Sequence, residues 1–206
     1  MALLQWVLGS LPSETEDRVG SLDLGFADYN PTVLQLVTLP NLILSWAQVL
    51  RKESWEAEGE LEIDAGLVQN FLTTLESYGI TLSFFSGAWS PEFVRLVNDK
   101  MGSRPACLTI IGAETIYSPA ALKSFADTLV SLLETMPGDD KTSLVAAKKV
   151  YFGVGGSMED FCDTVRARGA EVELIREESD GVRRAVVEVK WGPSTSVNAP
   201  ITSPST

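Results

Sequence analysis

Histidine is missing altogether from this sequence of 206 residues. Its absence excludes a Ser-His-Asp or Cys-His relay built within the chain, and it removes the commonest ligand of transition metals. Cysteine is scarce: Cys107 and Cys162 stand in unrelated contexts, without the paired spacing of a zinc site, so no metal is expected. With no disulfide framework, a reducing compartment is expected. Positive charge is also short, since 16 Lys and Arg against 28 Asp and Glu leave a net charge of −12. So acidic a chain argues against direct binding to a nucleic-acid backbone. It suits either solubility alone or a basic protein partner. The opening stretch "MALLQWVLGSLPSETEDR" lacks a basic flank, and its apolar part is too short to span a bilayer. Neither a signal peptide nor a membrane anchor is expected there. What remains, 45% apolar and 21% charged, is the profile of one globular domain with a sizeable core.

Strand and helix patterns alternate along the chain. "SLDLGFADY" is a short apolar strand ending at Asp28, and "PTVLQLVTLPNLILSWAQVL" is helical, with Pro40 as a kink or break. "RKESWEAEGELEIDAG" reads as a solvated loop. "ITLSFFSG" is a second strand, followed by a helix capped by Ser90 with Pro91 in its first turn. "ACLTIIGAE" is nearly continuous apolar sequence, which predicts a strand buried on both faces of a parallel sheet. Ser118 and Pro119 open a helix whose Leu122, Phe125, Leu129, Leu132, Leu133 and Met136 follow a three-four spacing. "SLVAAKKVYF" is a strand, "SMEDFCDTVRARG" a helix closed by Gly169, and two strands about Asp180-Gly181 make a terminal hairpin. The Pro- and Ser-rich end, 193–206, is expected to be disordered. The alternation predicts a doubly wound, mostly parallel α/β sheet with right-handed crossovers. The antiparallel hairpin at its C-terminal edge narrows the fold class to the Rossmann-like, seven-stranded sheet of methyltransferases.

In such sheets ligands bind beyond the carboxyl ends of the strands, so the candidates lie there. Asp28 follows the first visible strand and can accept hydrogen bonds from ribose hydroxyls; an Asx turn or helix cap before Pro31 is the plainer reading. In "FFSGAWS", Gly87 admits close backbone approach, and Trp89 offers a face for stacking, or else packs under a loop. Glu114 and Tyr117 stand three apart at the head of a loop. A charged Glu at the end of so apolar a strand is costly unless it is paired or used, and capping is its structural alternative. "GVGG" lacks the spacing of a phosphate-binding loop and reads as a tight loop beside the substrate.

Taken together, "FADYNPTVLQLVTLPNLI", "FFSGAWS", "ETIYSP" and "YFGVGGSMEDF" resemble the histidine-protein methyltransferases, in the wording of a fungal member. The resemblance covers residues 1–192 as one methyltransferase domain. It implies S-adenosyl-L-methionine as cofactor and a histidine of a basic, ribosomal protein as methyl acceptor. It implies no nucleic acid, no membrane, a monomer, and residence in cytoplasm and nucleus. By position it assigns Asp28, flanked by Tyr29 and Asn30, to the cofactor ribose. Asn41 falls in the segment facing the cofactor, and Ser86, Gly87 and Trp89 fall beside the adenine. Glu114 and Tyr117 become the acid-x-x-Tyr motif at the mouth of the active site. Tyr151, Gly153, Gly155 and Gly156 border the substrate.

One departure accompanies the resemblance. The family carries a strand and a Gly-rich loop of the "LGCGxG" kind ahead of the helix that here reads "ALLQWVLGS", and both are expected to be missing from an N-terminally truncated domain. The strands flanking that position would then face a gap of roughly 10 Å, two strand spacings. They must close up or leave backbone unpaired. Two readings follow: part of an active methyltransferase, or a pseudoenzyme serving as a protein-binding module. A lysine or small-molecule methyltransferase on the same fold is a further alternative. The chain as written is expected to bind its methyl donor poorly.

Overall fold

A computed structural model of the chain describes residues 2–10, 21–50, 60–101, 107–178 and 181–191. Most of the acidic loop, Asp180 of the hairpin turn and the Ser-rich tail lie outside the described residues. The chain divides into two compact units, Met1–Ala88 and Trp89–Thr206.

The first unit holds α1 (Ala2–Ser10), β1 (Leu22–Asp28), α2 (Pro31–Val33), a π-helical turn (Leu34–Thr38), α3 (Leu39–Leu50), α4 (Ala65–Ser77) and β2 (Ile80–Ser86). β1 and β2 are parallel, in register from Leu22 opposite Ile80 to Asp28 opposite Ser86, so both strands end at one level. Leu24, Phe26 and Leu82 pack against a core of Leu4, Leu8, Leu42, Trp46 and Phe71. Asp64 caps α4, its carboxylate accepting the Leu67 N–H at 2.7 Å.

Pro40 does not break its helix. The helical path runs from Pro31 through Leu50, and the turn before the proline widens instead, with the Leu39 N–H reaching back five residues to the Leu34 carbonyl. A proline supplies no N–H and crowds the carbonyl four residues back, and a π-turn gives way to it without ending the helix. By length and composition alone Pro31–Val49 could cross a membrane, with a mean hydropathy of 1.3. Its Leu42, Ile43, Trp46 and Ala47 are instead buried in the core of this unit.

The second unit holds α5 (Pro91–Met101), β3 (Leu108–Ala113), α6 (Pro119–Thr135), β4 (Lys141–Lys148), α7 (Met158–Arg166), β5 (Glu171–Glu178) and β6 (Arg184–Lys190). Its sheet runs β3-β4-β6-β5, with β3 parallel to β4 and the expected hairpin of β5 and β6 antiparallel. Ser90, Ser118 and Ser157 cap the three helices with side-chain oxygens that accept N–H groups three residues on. All six periodic positions from Leu122 to Met136 are buried. With Phe161 and Val165 of α7, most of them cover the sheet face that carries Val145, Ala147, Val187 and Val189.

One expectation changes. β3 is not buried on both faces: Ile110 packs against the core, whereas Thr109, Ile111 and Ala113 are exposed, Ile111 by 53%. α6 and α7 cover one face of this sheet, and nothing described in this unit covers the other. Among the described residues β1 pairs with β2, and β3 with β4.

Candidate active site

In the first unit the useful residues collect where β1 and β2 end. Asp28 faces Ser86 across the ladder, and the Gly87 N–H donates to the Asp28 carbonyl at 3.3 Å. The Asp28 side chain accepts the Asn30 N–H at 2.8 Å, and the Asn30 side chain accepts the Thr32 N–H at 2.9 Å, capping α2 at Pro31. This is the Asx turn that spacing favoured. It leaves the ribose role open, because the turn engages Oδ1 of Asp28 and a carboxylate offers two oxygens. Gly87 has a φ of 143°, a conformation that favours glycine, and so sets bare backbone beside that carboxylate. Tyr29 is exposed. Asn41 stands apart in the first turn of α3, where its carbonyl accepts the Ser45 hydroxyl at 2.7 Å.

Trp89 belongs to the second unit. Its ring meets Phe93 edge-on at 4.9 Å and Phe125 at 6.0 Å, the packed arrangement rather than a free face.

β3 delivers Glu114. Its φ of 55° is the one positive value at a residue other than glycine among the described residues. That region costs a side-chain-bearing residue roughly 1–2 kcal/mol, and it persists where the surroundings dictate it. The Glu114 N–H donates to the Ala146 carbonyl at 2.9 Å. The Tyr151 hydroxyl donates to Oε2 at 2.5 Å, and Nε of Arg184 donates to Oε1 at 3.4 Å. Tyr151 is buried, its phenol pushed up to about 12, first by burial and then by its hydrogen bond to Glu114. Beside this group the Thr115 hydroxyl is buried without a hydrogen-bond partner, a polar atom that a bound molecule could satisfy.

The "VGG" loop is built around the same tyrosine. The N–H groups of Val154 and Gly155 donate to the Tyr151 carbonyl, and Gly153 and Gly155 take φ values of 81° and 80°. Gly156 lies against the backbone of the next segment: a Cβ there would stand 2.2 Å from the Ile116 carbonyl. Phe152 projects from this loop, 92% exposed. Tyr117 is exposed as well, and no hydrogen bond joins it to Glu114.

The structure thus gathers Asp28, Asn30, Ser86 and Gly87 in one unit, and Glu114, Tyr151 and the glycine loop in the other. It adds Arg184, which sequence reasoning did not select; the one signal was a basic pair beside the hairpin turn. A groove of about 710 Å³ between α6 and α7 offers no net charge, since Lys123 and Arg168, which both bridge Asp127, offset the carboxylates of Asp127 and Asp160.

No family model matches the chain. Individual relatives do. Histidine protein methyltransferase 1 of Saccharomyces cerevisiae is 35% identical over 173 residues, covering 74% of this chain and 45% of that protein. Its namesake in Schizosaccharomyces pombe is 32% identical over 183 residues, covering 86% of this chain and 52% of that protein. A homolog from Bos taurus is 30% identical over 84% of this chain. The chain belongs to the histidine protein methyltransferase family. This histidine protein methyltransferase chain spans about half the length of the curated relatives it matches. Solved structures overlap it weakly, at a TM-score of 0.38. The PH0226 protein of Pyrococcus horikoshii OT3 is 8% identical over 83% of this chain and 82% of its own. OxaC in complex with sinefungin and meleagrin is 14% identical over 88% of this chain and 46% of its own.

Proposed function

We propose that the protein transfers a methyl group from S-adenosyl-L-methionine to an imidazole nitrogen of a histidine in a basic protein, a ribosomal protein being the expected acceptor. The observation that carries the reading is Glu114, an acid held in a strained conformation at the carboxyl end of β3 with its carboxylate oriented by Tyr151. Asp28, Ser86 and Gly87 suit a nucleoside: a carboxylate with an oxygen to spare, beside half-buried glycine backbone, is the acceptor that a ribose diol asks for. The cofactor, when bound, supplies an electrophilic methyl on a sulfonium.

The acceptor needs no strong base, because imidazole has a pKa of about 6.5 and is mostly neutral near pH 7. Its second nitrogen carries a proton. Glu114 accepts that N–H, which selects the tautomer whose free lone pair faces the methyl group. Alignment and exclusion of water then dominate the rate. The net charge of −12 favours encounter with a basic acceptor, at a rate that falls with added salt. We place the protein in cytoplasm and nucleus as a monomer, in keeping with two unpaired cysteines.

The test is transfer of labelled methyl from donor to ribosomal proteins by the intact protein, with the label located on histidine. Glu114→Gln, which keeps the shape and loses the charge, should slow transfer on the order of 10²-fold. Full transfer by that variant at saturating donor and acceptor sinks the role of Glu114.

A further inference from the structure

We propose that Tyr151 and Arg184 are positioning residues that aim the Glu114 carboxylate at the acceptor imidazole, an inference that rests on the methyl-transfer reading above. A glutamate on a loop ordinarily samples several rotamers, and each would point its charge elsewhere. Here both oxygens are tied, Oε2 to the Tyr151 hydroxyl at 2.5 Å and Oε1 to Nε of Arg184 at 3.4 Å. The tyrosine cannot turn away. Its ring is buried in the core of the second unit, and its oxygen also accepts the Lys148 N–H at 3.4 Å, which leaves the hydroxyl hydrogen directed at Glu114. Arg184 comes from the first position of β6, where the antiparallel register sets it opposite Lys148. Each carboxylate oxygen offers two acceptor positions, so two bonds fix the group and still leave room for an imidazole N–H.

The guanidinium and the carboxylate are each about half exposed, so the pair adds little to folding stability. For Arg184 that exposure separates the present role from a structural one: a tie serving the fold shows in stability, and a tie serving orientation shows in turnover. The phenol also remains a donor throughout the neutral range, with its titration displaced to about 12.

The experiment measures methyl transfer to histidine by the intact protein and by Tyr151→Phe, Arg184→Ala and Arg184→Lys, with kcat, the KM of each substrate and the thermal midpoint recorded for each. Tyr151→Phe keeps the ring in the core and should lower kcat about tenfold, with the donor KM changed less than twofold. Arg184→Ala should lower kcat several-fold at an unchanged midpoint, and Arg184→Lys should recover part of the loss. If the variants shift the midpoint yet keep kcat, or change the donor KM alone, the positioning role is overturned while the methyl-transfer reading stands. If the wild-type protein leaves no label on histidine, that reading falls and this inference falls with it.

Discussion

Two parallel strand pairs in this chain end in a carboxylate, and the two carboxylates are held by opposite means. Asp28 at the end of β1 is held locally, by an N–H two residues away. Glu114 after β3 is held by partners 37 and 70 residues away, on a backbone conformation that L-residues avoid. The surroundings differ in the same sense. Among the described residues the core about β1 and β2 comprises ten buried residues, and that about β3 and β4 comprises eighteen. A two-stranded sheet is marginal alone, whereas four strands covered by helices supply a rigid frame. In the roles proposed above, a group that recognises a sugar through hydrogen bonds tolerates a shallow setting, whereas a group that selects an imidazole tautomer needs fixed direction of the kind the larger unit gives Glu114.

The comparison can be broken most severely in the cores. Phe161 of the second unit and Phe71 of the first are both fully buried, and truncation of either to alanine should cost about 3–5 kcal/mol. Hydrogen exchange tells them apart. Phe161→Ala should strip protection from β4 and β6 while β1 and β2 keep theirs, and Phe71→Ala should do the reverse. Equal loss in both units from either change would mean that the two cores are one.

A smaller effect is expected at the glycine loop. Gly156→Ala drives a Cβ into the Ile116 carbonyl and should cost about 1–3 kcal/mol. Gly153→Ala, with nothing within 4 Å and a φ of 81°, should cost about 1 kcal/mol through backbone strain alone. Equal thermal midpoints in the two variants would remove the close packing that seats the loop beside Glu114.

The smallest effect is alkaline. Tyr151 titrates near 12 in the folded protein and near 10 when unfolded. The folded state therefore keeps a proton that the unfolded state releases, and its contribution is complete below about pH 10 and fades as pH rises towards 12. Tyr151→Phe should lack that part of the alkaline decline. Identical curves for variant and wild type would mean that neither burial nor the Glu114 bond holds the phenol protonated, and the long-range hold on Glu114 would lose its support.

Much of the fold was legible in the sequence. The three-four spacing of Leu122 to Met136, the serine caps and the terminal hairpin all hold, because each depends on residues within a few positions of one another. The Asx turn at Asp28 was legible for the same reason. The uncovered face of β3 was not, because an apolar run cannot say which of its faces a helix will reach. At Pro40 a kink and a break both stood open, and the structure chose continuation, since the adjustment lies in the turn before it.

The sequence by itself determined most of the elements, α4 (Ala65–Ser77) excepted, together with the family and the acid at each strand end, through local periodicity, capping and motif. Only the tertiary structure decided that Tyr151 and Arg184, rather than Tyr117, hold Glu114. The physical reason is distance along the chain. A tyrosine three residues on can be read as a partner from spacing, but whether it turns outward depends on a strand and a loop that fold against it from much further away.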